Sequence, residues 1–548
     1  MKKFLVLLLF IVTFFTVEAA AVTNDVVKVG LKFDKDTMFS ANLENEVGSG
    51  YSVGYYDEAR NFVRLGDISK RKISMTAAGT VYLNSDGTYA SSSRSPAAVI
   101  GGWHIQTPAT FDSFESASAI ASAVGGYPAY INDEFRVRIG CYKDESAAKA
   151  AMLASGISGS VVSSSRTGIL VTATRSADVL FEFDCQGLRN LGIFPNGGGE
   201  KPVTWFKGYK YYGGFEYYRI TGGNLTVVNV LNVEDYVKGV IPYEMNPTWP
   251  LAALEAQAVC ARTYAHGNIG HLRTYGFDVC CTSDCQVYYG LGNGSRGPSY
   301  TSNQAVENTA GLCLYYDGEY INAVYHSSNG GATESSENIW GGARPYLQAK
   351  EDPYESTITI PNYEYTVSYT PAELTWVAHN SGYSEMIGDI CDVYISGYTE
   401  MGNVHKVTLV DTEGKQLVLT GHKARTLFYS TTYDKNVRSQ RFRMLDTAPA
   451  SLYINSVNNS FTSVGGMAVI SGDGTIAVYE QENPYVITGS GIETLVPAIP
   501  KAPDQFVITG VGNGHNVGMS QYGAKAMATL GMSFYDILTF YYTDITIE

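Results

Sequence analysis

Residues 241–265 read Ile-Pro-Tyr-Glu-Met-Asn-Pro-Thr-Trp-Pro-Leu-Ala-Ala-Leu-Glu-Ala-Gln-Ala-Val-Cys-Ala-Arg-Thr-Tyr-Ala, and this segment decides the fold at the centre of the chain. Pro250 suits the first position of a helix, where its missing N–H leaves no hydrogen bond unmade. The Ala-rich run that follows has high helix propensity. The segment therefore predicts a loop that carries Glu244, followed by a rigid helix.

Glu244 has apolar and aromatic neighbours in Tyr243, Met245 and Trp249. Desolvation disfavours the charged form of a carboxyl, so such neighbours raise its pKa. A raised pKa is what keeps a general acid protonated near neutral pH. A glutamate ahead of a helix also interacts favourably with the positive helix end, so this segment alone leaves a purely structural role open.

The composition describes a folded protein of several domains. A chain of 548 residues has room for two to four domains. Its 45% hydrophobic and 17% charged content is not that of a disordered chain. A net charge of −15 argues against binding to nucleic-acid phosphates, so no nucleic-acid partner is expected.

The N-terminus has the build of a secretory signal peptide. Two lysines precede a mostly apolar run over 4–17, and small residues follow at 19–21. The run is short for a membrane span, and cleavage fits after Ala19 or Ala21. No later segment is apolar for long enough to cross a bilayer, so we expect an exported protein of the cell envelope or extracellular space without a transmembrane anchor.

A βαββαβ pattern follows a β-rich region and a Ser-rich linker that ends near residue 96. Strands are predicted at 102–106, 127–131, 135–142 and 158–163, with helices at 113–124 and 144–154. This order predicts a small ferredoxin-like sheet with two helices on one face. Strands resume after about 178, which indicates that the unit is inserted into a larger β-containing region.

Residues 135–142, Phe-Arg-Val-Arg-Ile-Gly-Cys-Tyr, and the Asp-Glu-Ser-Ala-Ala-Lys helix from 144 resemble the SPOR family. That resemblance implies a module that binds peptidoglycan. The same fold carries many functions, so a βαββαβ module with another purpose remains open.

Three further blocks, in order, resemble the stage II sporulation protein D (SpoIID/LytB) family. They are 232–245 with 256–265; 325–342, which contains His-Ser-Ser-Asn-Gly-Gly; and 512–525, Gly-Asn-Gly-His-Asn-Val-Gly-Met-Ser-Gln-Tyr-Gly-Ala-Lys. The fold expected is α+β: a mixed catalytic domain with a β-rich portion, plus the ferredoxin-like SPOR module. The expected divisions are a signal peptide at 1–21, an N-terminal β-rich segment at 22–96, the SPOR-like module at 97–176 and the catalytic domain at 177–548.

The resemblance implies a lytic transglycosylase that cuts peptidoglycan glycan strands, preferring strands without peptide stems. It implies Glu244 as the catalytic acid and base, and Arg262 as a second catalytic residue. Glu244 would protonate the oxygen leaving C1 of muramic acid and then deprotonate the 6-hydroxyl of the same sugar, which gives a 1,6-anhydro end. No second carboxylate and no cofactor are required. Arg262 would stabilise developing charge or hold a substrate oxygen, although a surface or ion-pairing helix arginine remains an alternative.

The resemblance also supplies candidate substrate-binding residues around Glu244. Glycine-rich blocks let the backbone approach a ligand closely, so polar side chains in them can meet sugar hydroxyls. Each can instead be a polar group satisfied within its own loop. The candidates are Tyr243, Trp249, His326, Ser327, Ser328, Glu334, His515 and Gln521.

Three of the eight cysteines lie within residues 280–285, which indicates a local site. Some members of the family carry zinc here, with a histidine immediately before the last cysteine, where this chain has Asp284. His271, Cys280, Asp284 and Cys285 form a tentative four-ligand set for a structural zinc. A disulfide such as Cys281–Cys285, or reduced thiols, remain alternatives.

Two other functions stay open beside the transglycosylase. Part of the family is described as amidase enhancers, so the chain could be a non-catalytic peptidoglycan-binding protein whose partner is a cell-wall amidase. A plain hydrolase that leaves reducing ends is the third possibility.

Overall fold

The computed structural model describes residues 25–267, 271–445 and 504–548, and within 446–503 only short strands. The predicted signal peptide therefore lies outside the described residues. The chain divides into two compact units, 1–236 with 269–281 and 237–268 with 282–548. Both helices and several sheets are present, which confirms the α+β class. Among the residues described, no helix is long and apolar enough to cross a membrane.

The α-helices are short except for one. They span Phe114–Val124, Glu145–Ser155, Val233–Glu244, Leu251–Gly267, Leu272–Tyr275, Tyr300–Asn308, Ser336–Trp340, Pro371–Ala378, His422–Thr426, Gln521–Thr529 and Phe534–Tyr541.

The first unit is built on two large sheets and one small sheet. The seven-stranded sheet has the order Val279–Cys280, Val26–Lys32, Thr226–Asn232, Gly214–Tyr218, Leu191–Asn196, Gly50–Tyr56 and Phe62–Ile68. The ten-stranded sheet has the order Ser160–Ser163, Trp103–Gln106, Glu134–Tyr142, Gly126–Ile131, Val179–Asp184, Ile169–Ala173, Lys72–Ala77, Ser40–Val47, Val203–Phe206 and Tyr209–Tyr211. The small sheet has the order Tyr89–Ala90, Val81–Leu83 and Ala98–Ile100.

Strands, helices and turns between 103 and 163 follow the predicted order βαββαβ. Ser113 and Asp144 accept backbone N–H groups at the two helix starts, and Gly125 and Gly156 end the helices in the left-handed conformation that glycine adopts without strain. The four strands form one end of the ten-stranded sheet, which continues through the parallel pair of Gly126–Ile131 with Val179–Asp184. The remaining strands come from both sides of this segment in the chain.

A buried charge network lies on one face of that sheet. Arg138 Nη1 donates to Glu182 Oε1 at 2.5 Å, and Ser164 Oγ donates to the same oxygen at 2.6 Å. Tyr127 OH donates to Glu182 Oε2 at 3.3 Å, and His104 Nε2 lies 2.9 Å from Ser164 Oγ. Burial acts to raise the pKa of Glu182, but Arg138 and His104 outweigh it and the pKa is lowered. The carboxylate is therefore charged and fully paired.

The second unit contains small sheets around a separate hydrophobic core. Its sheets have the orders Glu319–Tyr320, Leu314–Tyr316, Thr546–Ile547; Tyr325–His326, Met519–Ser520; Glu364–Tyr369, Phe506–Val511, Phe442–Leu445; Ile390–Tyr398, Val404–Asp411, Gln416–Thr420; and Tyr429–Ser430, Lys435–Asn436. Three hairpins follow at Leu452–Tyr453 with Ser460–Phe461, Ala468–Ile470 with Ile476–Val478, and Tyr485–Thr488 with Gly491–Thr494. The core packs the helix Pro371–Ala378 against the strands between 390 and 419.

The segment before the long helix differs from the prediction. Residues Val233–Glu244 form a helix, so Glu244 ends a helix and does not lie in a loop. Asn232 Oδ1 accepts the N–H of Glu234 at 2.8 Å, and acidic side chains in the first turn favour the positive helix end. Pro242 is tolerated because only two helical residues follow it, so little of the helix depends on its missing N–H. The prediction failed because it placed the only local helix start at Pro250 and did not consider a helix ahead of it.

The long helix Leu251–Gly267 begins one residue after the predicted position. The carbonyl of Pro250 accepts the N–H of Ala253 at 3.0 Å, so Pro250 lies just outside the helix and supplies its first acceptor. Most side chains along this helix are buried, including the polar Gln257 and Arg262. Its small alanines allow this close packing on all sides.

Candidate functional site

Arg296 holds the helix end that carries Glu244. Its Nε donates to the carbonyl oxygen of Pro242 at 2.6 Å, and its Nη2 donates to that of Tyr243 at 3.1 Å. The Tyr243 hydroxyl donates a hydrogen bond to the carbonyl oxygen of Arg296 at 3.0 Å, and the Tyr243 ring lies 5.0 Å from the guanidinium carbon of Arg296. A cation at the last carbonyls of a helix is favourable. Arg296 therefore caps the helix and fixes the position of the residue that ends it.

The Glu244 carboxyl is partly buried and lies among hydrogen-bond donors. The Val287 N–H donates to Oε1 at 2.7 Å, and Gln521 Nε2 lies 3.4 Å from Oε2. Burial raises the pKa of Glu244, as the sequence predicts, while Val287, Gln521, Tyr325 and the charge of Arg296 partly oppose the rise. The site therefore favours the protonated acid and also provides donors for the carboxylate.

An aromatic and cationic cluster adjoins Gln521. The rings of Trp249 and Tyr522 lie 4.8 Å apart, and Lys525 Nζ lies 5.1 Å from the Trp249 ring. All three side chains are partly exposed. Flat aromatic faces beside a cation suit a sugar that carries a carboxylate. Trp249 is thus placed against Tyr522, the residue after Gln521 in the chain.

The two glycine-rich blocks are joined by Glu355, which the sequence analysis did not identify. Glu355 accepts hydrogen bonds from the Ser328 hydroxyl at 2.9 Å, from the N–H groups of Asn329 and Gly330 at 2.7 and 3.0 Å, and from the Ser520 hydroxyl at 2.5 Å. All of its acceptor oxygens are engaged. Ser328 is therefore a buried structural donor, and Ser327 offers its carbonyl to the Tyr522 N–H at 3.0 Å.

His326 and His515 pack against each other, with ring centroids 5.4 Å apart, on the far side of a strand from Glu244. Tyr325 contacts Glu244, and consecutive side chains of the strand Tyr325–His326 point in opposite directions. His326 Nδ1 donates to the Val517 carbonyl at 3.1 Å, and burial lowers its pKa to about 4. Burial likewise holds the pKa of His515 well below its usual range. Both histidines are therefore neutral near pH 7.

Glu334 is buried, and both of its carboxylate oxygens accept hydrogen bonds from nearby protein groups. Its Oε1 accepts from the Ser335 N–H and the Asn338 amide at 2.9 and 2.8 Å, and its Oε2 accepts from Thr399 and Asn403 at 2.6 and 3.0 Å. These contacts connect the glycine-rich block 325–342 to the strands near residue 400. They support a structural role for this predicted substrate-binding residue.

Arg262 is fully buried. Its Nη1 donates to the carbonyl oxygen of Leu312 at 2.9 Å, and its Nη2 lies 3.4 Å from that of Val306. The Val306 carbonyl lies in the last turn of the helix Tyr300–Asn308, and the Leu312 carbonyl lies just beyond its end, where a cation is favourable. The placement supports a role in holding this helix against the helix of Arg262, and a catalytic role for Arg262 stays a prediction.

The four predicted metal ligands lie close together. One potential ligand atom from each of His271, Cys280, Asp284 and Cys285 lies within 4.8 Å of all the others. Ligands around a tetrahedral zinc are separated by about 3.3–3.8 Å, so a small contraction would complete the set. No disulfide joins any of the eight cysteines, all of which are described, so the predicted Cys281–Cys285 alternative is not formed.

Besides Glu355, the sequence analysis did not identify two residues of the site, Arg296 and Gln257. Arg296 occurs in an exposed Gly-Asn-Gly-Ser-Arg-Gly loop whose pattern carries no signal for contact with a helix end. Gln257 is buried with its Oε1 3.4 Å from Gln521 Nε2, while its own Nε2 has no partner among the described residues. Its place on the same buried helix as Arg262 was the available signal.

Comparisons with known proteins define the class. Residues 221–316, which include Glu244, Arg262 and the cysteine cluster, match the family described as Stage II sporulation protein, SpoIID. An uncharacterized protein of Brachyspira hyodysenteriae is 31% identical over 62% of this chain and 73% of its own length. The stage II sporulation protein D of Bacillus subtilis is 27% identical over 58% of this chain and 75% of its own length.

The chain belongs to the SpoIID family, which confirms the resemblance drawn from its three sequence blocks. The amidase enhancer of Bacillus subtilis is also similar, with 31% identity over 57% of this chain. That match spans 40% of the length of the amidase enhancer.

Proposed function

We propose that this protein is an exported lytic transglycosylase of the cell envelope, which cleaves peptidoglycan glycan strands between muramic acid and glucosamine. The observation that carries the proposal is the Glu244 carboxyl, whose pKa is raised by burial at the end of a capped helix. Membership of the SpoIID family supports the choice of substrate.

Glu244 performs both proton transfers in the proposed reaction. As the protonated acid it donates its proton to the oxygen that leaves C1 of muramic acid. The carboxylate that results is stabilised by the Val287 N–H and the Gln521 amide. It then accepts the proton of the 6-hydroxyl, whose oxygen bonds to C1 and closes the 1,6-anhydro ring. Neither water nor a second carboxylate takes part.

The substrate is held by the groups around Glu244. A sugar ring stacks on the Trp249–Tyr522 pair, and Lys525 and Arg296 attract the lactyl carboxylate that a muramic acid carries when it has no peptide stem. This charge pattern fits strands without peptide stems.

The amidase enhancer among the relatives favours a second candidate function, a non-catalytic protein that binds peptidoglycan and stimulates a cell-wall amidase. The buried Glu244 carboxyl would then serve only to stabilise the loops around it.

Product analysis tests the two candidates. The purified protein is incubated with peptide-free glycan strands, and the products are analysed by mass spectrometry. We expect ends that carry 1,6-anhydromuramic acid. Reducing ends would indicate hydrolysis and overturn the transglycosylase mechanism. Binding without cleavage, together with stimulation of an added amidase, would support the enhancer.

The segment 97–176 is proposed to be a SPOR-like module that binds peptidoglycan. Its βαββαβ order supports this proposal. The network of His104, Arg138 and Glu182 on one face of its sheet is buried, so bound glycan must contact other surfaces.

A structural zinc is proposed at His271, Cys280, Asp284 and Cys285, because their ligand atoms lie close enough to bind one ion. The metal would cross-link the loop whose Val287, two residues beyond Cys285, donates to Glu244. The proposed reaction itself requires no metal.

Elemental analysis is expected to find about one zinc per chain, since a four-ligand site binds one ion. Cys285→Ser should lose the metal, and a chelator should lower the thermal stability of the wild type. Cys281→Ser is the matched control, because Cys281 is adjacent in sequence but outside the ligand set. Equal metal loss in both variants, or a metal-free wild type, would contradict the assignment.

A further inference from the structure

The outer face of a three-stranded sheet in the second unit is unusually polar and charged. Glu364–Tyr369, Phe506–Val511 and Phe442–Leu445 pair so that Thr366 and Arg443 both lie opposite Thr509. Directly opposed residues share a face. The alternate residues, such as Phe506, Ile508 and Phe442, lie in the hydrophobic core. The face with Arg443 and Thr509 is therefore turned away from the core.

This face forms one wall of a cavity of about 370 Å³. Arg441, Arg443, Thr509 and Glu364 line it from the sheet, and Tyr398 lines it from the neighbouring strand Ile390–Tyr398. Tyr398 is 54% exposed, so its ring is accessible to a ligand in the cavity. An exposed aromatic ring offers a flat apolar face on which a sugar ring can stack.

The charges of the cavity favour an anion. Arg441 donates from Nη1 to the Met401 carbonyl at 2.7 Å, which holds its guanidinium in place. Among the described residues, no carboxylate forms an ion pair with Arg441 or Arg443, although Glu364 lines the same cavity. Two guanidinium groups against one carboxylate leave a net positive charge, and guanidinium groups bind carboxylates in bidentate geometry.

The cavity adjoins the glycine-rich block that Glu355 holds. A Cβ atom at Gly330 would lie 2.9 Å from Arg441 Cδ, while the Gly330 N–H donates to Glu355 at 3.0 Å. Ser520, also bound to Glu355, precedes Gln521 at the Glu244 carboxyl. A continuous set of contacts therefore connects the cavity to the proposed cleavage site.

We propose that the cavity lined by Arg441, Arg443, Tyr398 and Thr509 is a second binding site for an acidic, carboxylate-bearing glycan. A sugar ring lies against Tyr398, its hydroxyls meet Thr509, and its carboxylate meets Arg443. The inference rests on the proposed function for the identity of the glycan, a peptide-free strand with a lactyl carboxylate on each muramic acid. The site holds a part of the strand away from the bond that is cut.

Binding is measured by calorimetry with the full chain carrying Glu244→Gln, so that the strand stays intact. Adding Arg443→Gln should weaken the binding of peptide-free strands about tenfold or more, because a charge-assisted hydrogen bond is lost. The N-acetylglucosamine–N-acetylmuramic acid disaccharide, too short to reach both sites, gives the reference affinity at one site. Arg94→Gln is the matched control, since Arg94 is an exposed arginine of the other unit.

Equal affinity of the Arg443→Gln and Arg94→Gln proteins for the strands would overturn the inference. The inference would also be overturned if free stem peptide, but not glycan strands, competed for the cavity. The cavity would then be a peptide-binding site. Circular dichroism checks that both variants are folded. The two proposals fail separately: a protein that cleaves nothing but binds strands through Arg443 refutes the transglycosylase alone, and a cleaving protein that is indifferent to Arg443→Gln refutes the second site alone.

Discussion

Glu244→Gln is expected to lower the rate of glycan-strand cleavage by about 10²–10⁴-fold, the range for loss of general acid–base catalysis. Glutamine has nearly the same shape and can still accept the Val287 N–H, but it cannot donate or take up a proton. Release of anhydromuramic ends from peptide-free strands measures the effect. Glu351→Gln, at an exposed acid of the same unit, serves as the control and should retain full activity.

The pH dependence of the cleavage rate and of the free energy of unfolding provides a second test of this prediction. Burial raises the pKa of Glu244, so the wild-type rate should fall on the alkaline side as the acid loses its proton, above the usual range for glutamate. A carboxyl with a raised folded-state pKa holds its proton more tightly in the folded protein. The free energy of unfolding of the wild type should therefore fall relative to Glu244→Gln as pH rises through that range. An unchanged alkaline limb in the variant would refute the assignment of Glu244.

Arg138→Met is expected to lower the free energy of unfolding of the first unit by about 3–5 kcal/mol, because it leaves the buried Glu182 carboxylate without its main counter-charge. Urea denaturation followed by circular dichroism measures the loss. Arg136→Met is the matched control, since Arg136 pairs with Glu134 at the surface of the same strand and should contribute no more than about 1 kcal/mol.

A double variant, Arg138→Met with Glu182→Leu, separates a lost ion pair from lost packing. Removing both charges should restore much of the stability. The pKa of Glu182 is lowered in the folded protein, so its stabilising contribution is present at neutral pH and is lost as pH falls through the folded-state value. The difference between wild type and Arg138→Met should therefore shrink in acid. A difference that stays constant with pH would contradict the electrostatic explanation.

Local signals in the sequence were sufficient for single elements. Ser113 and Asp144 mark two helix starts, and Gly125 and Gly156 mark their ends, so the βαββαβ order could be predicted within one or two residues. The raised pKa of Glu244 also followed from its immediate neighbours. The resemblance to the family could be recognised from three sequence blocks in their order along the chain.

Contacts between residues far apart in the chain could not be predicted from such local signals. The ten-stranded sheet joins strands more than 150 residues apart. The alternation of polar and apolar residues in a strand does not indicate with which other strand it pairs. The contact between Gln521 and Glu244 and the cap that Arg296 gives to Pro242 depend equally on tertiary packing. The helix that ends at Glu244 was missed because the local signal at Pro250 marks only the start of the following helix.

The carboxylate of Glu355 has a consequence for the order of folding. It receives donors from residues 328–330 and from Ser520, and the second of these lies 165 positions further along the chain. Closing so long a loop is entropically costly, so this contact is expected to form late. Gln521, the residue after Ser520, reaches Glu244 only when that closure is complete. A chain that has folded as far as the helix of Arg262 therefore has Glu244 at its helix end but not yet beside Gln521, so the proposed catalytic environment is expected to form only with this long-range closure.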